Sequence, residues 1–194
     1  MFCAIIGLWL VQGLKGAMLE NVSYENIELI AGNASEGHLI NPDDPVFYNP
    51  ESMKEAFDAF FMKTGQGVPG DIGIYFRCAY DSLVYSFRYH IDLMEKMTGR
   101  TIKTIHIIGG GSQSEYLCRQ TSRICSRTVT SGPVEAATIG NILVQAIAMG
   151  RIKNLQEGRE LVNKSFDIKT YQYLGTNSAN TDMEYARFLQ LCNK

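Results

Sequence analysis

The stretch that most limits the possible folds runs from Lys103 to Met149. A short apolar strand at about 103–108 meets Gly109-Gly110-Gly111, and a helix follows from about Gln113 to Ser126. A second short strand covers about 127–131. "SGPVEAATIG" then turns the chain into another helix, Ala137 to Met149, closed by Gly150. Strand, helix, strand, helix in that order predicts two parallel strands joined by a right-handed helical crossover. The fold class expected is therefore α/β, with one short sheet and many helices.

Helical periodicity dominates elsewhere. Ser52 to Thr64 places Met53, Ala56, Phe57, Phe60 and Phe61 on one face, and Gly65 can end the helix. A longer helix starts at Asp71, a good N-cap after Pro69-Gly70, and keeps its apolar spacing from Ile72 through Met97 until Gly99 stops it. Further helices are expected at about 155–164 and 182–191, the last after the polar loop "GTNSANT". The segment 31–50, with "INPDDP", reads as a loop. Trp9 and the Phe57, Phe60, Phe61 stripe read as core.

With 45% hydrophobic residues in 194, the chain can bury the core of one ordinary domain. The formal charge is only -2 and the Lys and Arg residues are scattered, which argues against a nucleic-acid partner. The opening "MFCAIIGLWLVQG" lacks a cationic start and a small-residue cleavage pattern, and is shorter than the roughly 20 apolar residues a membrane span needs. It reads as a buried helix with no cap before it, as though the chain began inside a helix of a longer protein. Cys3, Cys78, Cys118, Cys125 and Cys192 form no CxxC pair, so reduced core thiols are expected rather than a zinc site.

Three glycines where a strand feeds a helix have two readings. One is a plain tight turn. The other is close approach of an anion: glycine lets the backbone come near a ligand, and a helix start directs free N–H groups and a positive dipole end toward it. A dinucleotide fingerprint fits poorly, because Gly109 and Gly111 match but Ser114 stands at the third glycine position. A P-loop is excluded, since no Gly-Lys-Ser/Thr follows.

"IHIIGGGSQSEYL", followed by "SGPVEAATIGNILVQAIAMGRI", resembles the C-terminal domain of sugar kinases of the FGGY family. "GLWLVQ" and "LINPDDPVFYNPESM" narrow the resemblance to the branch that acts on L-rhamnulose. It extends from about Ile5 to Tyr173. The resemblance implies the actin-like, ribonuclease-H-like ATPase fold, here as a single partial domain with a small, incomplete sheet. It implies ATP and Mg²⁺, with Gly109, Gly110 and Gly111 contacting the nucleotide and Gln12 lining the same site. It also implies that the sugar sits mainly on an N-terminal lobe, which carries the base Asp and is absent from this sequence. The chain alone is then expected to be inactive, acting in the cytoplasm with nucleotide as its partner, and with sugar only alongside the other lobe. The alternative is a non-catalytic fragment that binds nucleotide weakly or only self-associates.

The sequence departs from that family's pattern at four positions. Ala4 stands where Asn helps to hold sugar, and Arg123, Ser126 and Thr128 stand where Asp, Gly and Pro are usual. Asp43 and Asp44, between two prolines, read as turn residues. His106 reads as a satisfied or half-exposed strand residue; His38 and His90 have no evident partner. Glu135 reads as a helix-start stabiliser, with an indirect role near nucleotide as the second reading.

Overall fold

The computed structural model describes residues 7–175 and 179–192. Cys3 and Ala4 lie outside them, as does part of the "GTNSANT" loop.

The longest helix, α4 (Ile72–Thr98), is the spine. The Asp71 side chain caps it by accepting from the Gly73 N–H at 2.8 Å, and Gly99 ends it in the left-handed conformation. Tyr75, Phe76, Tyr80, Leu83 and Val84 are buried along it. Helices α1 (Trp9–Met18), α2 (Tyr24–Asn33) and α3 (Met53–Thr64) gather on the spine or on one another. Phe47, Phe57, Phe60, Phe61 and Tyr75 interlock there, with ring centroids 5.1–6.3 Å apart. Trp9 is only half-buried, at the margin of this core.

Helix α2 has no counterpart among the expected elements, and only its last three residues, 31–33, overlap the segment read as a loop. Ser23 caps it through the Asn26 N–H, and its buried Ile27 and Ala31 meet α4. The approach is close: a Cβ on Gly73 would stand 3.1 Å from the Ile30 carbonyl oxygen and 3.0 Å from the Ala34 Cβ. Asp44 caps a short 3-10 turn, Pro45–Phe47, through the Val46 N–H, and its carboxylate pairs with Lys63 at 3.2 Å. Asp43 and Asp44 are thus structural, as read.

The sheet has three strands in the order β1 (Thr104–Ile107), β2 (Thr128–Ser131), β3 (Lys169–Tyr171). β1 and β2 are parallel, with Ile105 opposite Val129 and Ile107 opposite Ser131. β3, which carries too little alternation to be read as a strand, returns antiparallel to β2. The crossover between β1 and β2 is α5 (Glu115–Cys125), packed between the sheet and α4. A small second core of Cys118, Val129 and Tyr171 joins α5 to the sheet. Helices α6 (Ala136–Ala148) and α7 (Leu155–Ser165) pack on each other, and α8 (Ala179–Cys192) returns to α4.

Burial pushes the Cys118 thiol up to about 11 and Cys125 up to about 12, so both are inert and uncharged at neutral pH. The histidines are satisfied: His106 Nδ1 meets Thr130 Oγ1 across the strands at 2.6 Å, His90 Nδ1 meets the Ser86 carbonyl at 2.8 Å, and His38 Nε2 meets the Gly67 carbonyl at 3.2 Å.

Two of the departures are backbone matters. Ser126 follows α5 with φ 51°, the left-handed C-terminal position that glycine occupies without strain. Thr128 uses its N–H to bond the Lys103 carbonyl at 3.3 Å, a bond proline would not make.

Replacing Ser126 by Gly is expected to stabilise the chain by about 1 kcal/mol, read as a higher urea midpoint. Gly73→Ala is expected to cost about 1–3 kcal/mol, because the α2 backbone must give way to the new methyl.

Candidate functional site

Parallel pairing sets the carboxyl ends of β1 and β2 side by side, so the loops that leave them face each other. From β1 the chain enters a 3-10 turn, Gly109–Gln113, closed by the Ser112 hydroxyl donating to the Gly109 carbonyl at 2.7 Å. Ser114 then caps α5 by accepting from the Leu117 N–H at 3.1 Å. From β2 the chain passes Gly132 and Pro133 and enters α6 at Glu135.

The three glycines have different reasons to be glycine. Gly109 has φ +71°, and a Cβ there would lie 4.0 Å from the Val134 carbonyl oxygen of the neighbouring loop. Gly111 faces inward, toward Ile107 and Leu117. Gly110 is exposed, without positive φ, and a Cβ on it would meet nothing within 4 Å. Neither fold nor packing therefore requires glycine at 110, and the peptide there is open to solvent.

The start of α6 adds to this opening. Glu135 occupies the N-cap position with φ -91° and ψ 40°, but its side chain makes no capping hydrogen bond. Glu135 thus stands at the helix start as a nearby negative charge rather than as a hydrogen-bonded cap. The first helical bond runs from Ile139 N–H to the Glu135 carbonyl at 3.0 Å. No side-chain cap covers the N–H groups that open α6, and the positive end of a 13-residue helix stands exposed there.

Between the two loops and β3 lies a cavity of about 340 Å³. Its chemistry comes from Ser112, Gln113, Glu135, Asp167, Lys169 and the Gly132-Pro133 backbone. Two carboxylates against one lysine disfavour a bare anion. They suit a molecule that offers hydroxyl or amine donors as well as an anionic group. Among the described residues no group of three His, Cys, Asp or Glu side chains could hold a metal ion.

Gly109, Gly110 and Gly111 therefore sit together at one junction, and Gln12 sits apart from them. Gln12 is exposed on α1 and does not line this cavity. Its backbone bonds to Leu8, one turn earlier, and Leu8 shares a separate apolar groove of about 500 Å³ with Gly111, Ile105 and Ile107. The sequence reading did not foresee Lys169 and Asp167. They reach the cavity on β3 and the turn before it, some 55 residues beyond the glycines.

A family model described as the C-terminal domain of the FGGY family of carbohydrate kinases matches residues 2–149. Curated relatives include the rhamnulokinase of Bacteroides thetaiotaomicron, 34% identical over 168 residues, covering 86% of this chain and 34% of that protein. The rhamnulokinase of Enterococcus faecalis is 35% identical over 173 residues, covering 87% and 35% respectively. The chain thus spans about a third of the length of the curated relatives it matches. Among solved structures, xylulose kinase from Rhodospirillum rubrum aligns with a TM-score of 0.60 at 15% identity, over 95% of this chain and 36% of that one. Ligand-bound xylulose kinase from Lactobacillus acidophilus aligns with a TM-score of 0.59 at 12% identity. At such identities the structural match speaks for the fold alone, and it agrees with the helix-rich α/β expectation.

The glycines can be separated by stability. Gly109→Ala is expected to cost about 1–2 kcal/mol, the penalty of a left-handed non-glycine residue. Gly110→Ala should change stability by less than about 0.5 kcal/mol, both read from urea denaturation midpoints.

Proposed function

Because this chain belongs to the FGGY family of carbohydrate kinases, as its C-terminal domain, we propose that it is the nucleotide-side part of a rhamnulokinase-type enzyme. The reaction is phosphoryl transfer from ATP to the 1-hydroxyl of L-rhamnulose, in rhamnose breakdown in the cytoplasm. No helix among the described residues is long and apolar enough to cross a membrane.

The observation that carries the reading is the open peptide at Gly110 beside the uncapped start of α6. A residue that the protein itself does not require to be glycine, next to free helical N–H groups, is where a phosphorylated ligand can lie against backbone. The donor set of the neighbouring cavity fits a nucleotide. Glu135 and Asp167 would accept from ribose hydroxyls or the base amine, while Lys169 and the α6 N–H groups would face the phosphates. We assign Gly109, Gly110 and Gly111 to nucleotide contact, and Gln12 to the same site once a second lobe closes over α1.

Magnesium would arrive with the nucleotide and neutralise phosphate charge. The described residues supply no cluster to hold it, so no step is assigned to them through it. Phosphoryl transfer rests on positioning and charge neutralisation, which need both lobes. The base Asp and most sugar contacts belong to the part of the relatives that this chain does not span. Accordingly, we propose one partial domain over 1–194 that is inactive alone.

A second reading has its own observation. α6 is apolar on most faces, yet only Leu143 is buried on it, and Ile142 and Val144 are 60% and 61% exposed. Such a surface favours self-association, in which case the chain would be a non-catalytic fragment.

The readings separate in a thermal shift experiment with Mg·ATP. At a ligand concentration about tenfold above Kd, binding adds about 1.4 kcal/mol, or about 3–5 °C in Tm for a chain of this size. Wild type should show that rise and Gly110→Ala should lose most of it while melting normally without ligand. No rise in wild type, together with a concentration-dependent elution volume on size exclusion, would favour self-association.

A further inference from the structure

A second cavity, of about 670 Å³, opens between α5 and β3 on the other side of Lys169 and Tyr171, which line both cavities. Its charge is opposite in character. Arg119, Arg123 and Lys169 converge on it against a single carboxylate, Glu115.

Glu115 is already engaged with Arg119, at 2.5 Å. The Arg123 Nε donates to Gln120 Oε1 at 2.8 Å, and no carboxylate of the described residues comes within ion-pair distance of its guanidinium. On its inner side Arg123 also lines a narrow cleft with Asp81, Glu36 and Glu184. Lys169 has no ion pair among the described residues. Three cations against one carboxylate leave this lining with an excess of positive charge, a state that favours an anionic guest. Arg123 is one of the departures noted in the sequence: an Asp there would leave this cavity balanced.

The walls are rigid and partly aromatic. The Ser122 hydroxyl donates to the carbonyls of Arg127 and Tyr171, at 2.9 and 3.2 Å, and accepts from the Tyr173 N–H at 3.0 Å, tying β3 to α5. The Arg119 guanidinium stands over the Tyr171 ring, 5.6 Å from its centroid, which fixes the plane of the fork. Tyr173 and the amides of Gln120 and Gln172 complete the lining.

We propose that this cavity binds a phosphorylated sugar, at a site distinct from the glycine junction. The two guanidinium forks and Lys169 take the phosphate. The tyrosine rings cover the sugar's C–H faces and the glutamine amides bond its hydroxyls. The site does not depend on the nucleotide reading.

Isothermal titration calorimetry on the full chain tests this with fructose 1-phosphate, inorganic phosphate and fructose as probes. Fructose 1-phosphate should bind saturably and about tenfold more tightly than inorganic phosphate, and fructose should give no signal. The double variant Arg119→Gln, Arg123→Gln should weaken binding about tenfold or more. Lys169→Gln, on a different element, should show a loss in the same direction. Gly110→Ala should leave the affinity unchanged. Equal affinity for phosphate and sugar phosphate, binding that survives the double variant, or no binding to wild type would each overturn the proposal.

Discussion

The parallel pairing of β1 with β2 is the constraint on which the functional end of the molecule depends. Parallel neighbours cannot be joined by a hairpin, so the chain must cross over the sheet, and α5 is that crossover. Crossing over brings both carboxyl ends to the same edge, where ligands settle in open α/β sheets. The Gly109–Gln113 turn and the Gly132–Glu135 loop become neighbours for this reason, although eighteen residues separate them in sequence. Gly109 makes the turn out of β1 in the left-handed conformation, with φ +71°. Antiparallel strands would send the two loops to opposite ends, and the exposed N–H groups of α6 would point away from the glycines.

That pairing needs a platform, which α4 provides, at the cost of a buried charge network. Arg77 bonds Asp81 at 2.7 Å and Glu36 at 2.5 Å, and reaches the Gly32 and Ala34 carbonyls at the end of α2. Burial holds the Asp81 carboxyl above its usual range even with Arg77 beside it. Burial works against charge on Arg77 too, but the Asp81 and Glu36 charges keep its pKa above the ordinary value. One Asp81 oxygen has no hydrogen-bond partner. Such a network gains little net stability over a hydrophobic replacement, but removing one member strands the rest. Its effect is on specificity: it pins the open carbonyls of α2 to one place on the spine, and with them the close Gly73 contact.

The elements that the sequence made legible are those with strong local signals. Asp71 and Gly99 bracket α4, Gly65 stops α3, and the glycine run marks the strand-to-helix junction, because each residue does its work within one turn of itself. The structure adds α2, whose apolar positions, Ile27 and Ala31, are too few to stand out as a stripe, and β3, whose three residues hold their place only through pairing with β2. The same division runs through the site. Gly110 could be read from sequence because strand, glycines and helix are contiguous. Lys169 and Asp167 could not, since only the antiparallel return of β3 carries them to the cavity.

The three departures inside the described residues do different kinds of work. Ser126 takes up a conformation that suits glycine and stores a local cost. Thr128 extends the strand ladder by one bond where proline would have ended it. Neither lines either of the two polar cavities. Arg123 lines a concave surface that a ligand can reach, and it does so without disturbing the helix, since Arg is at least as good a helix former as Asp. A change that leaves the backbone as it was and alters only the charge of a concave surface acts on what the surface can bind. Lys169 and Tyr171 stand between that surface and the glycine junction, so the two cavities share a wall and differ in sign. Any ligand at one side must be solvated by residues that also form the other.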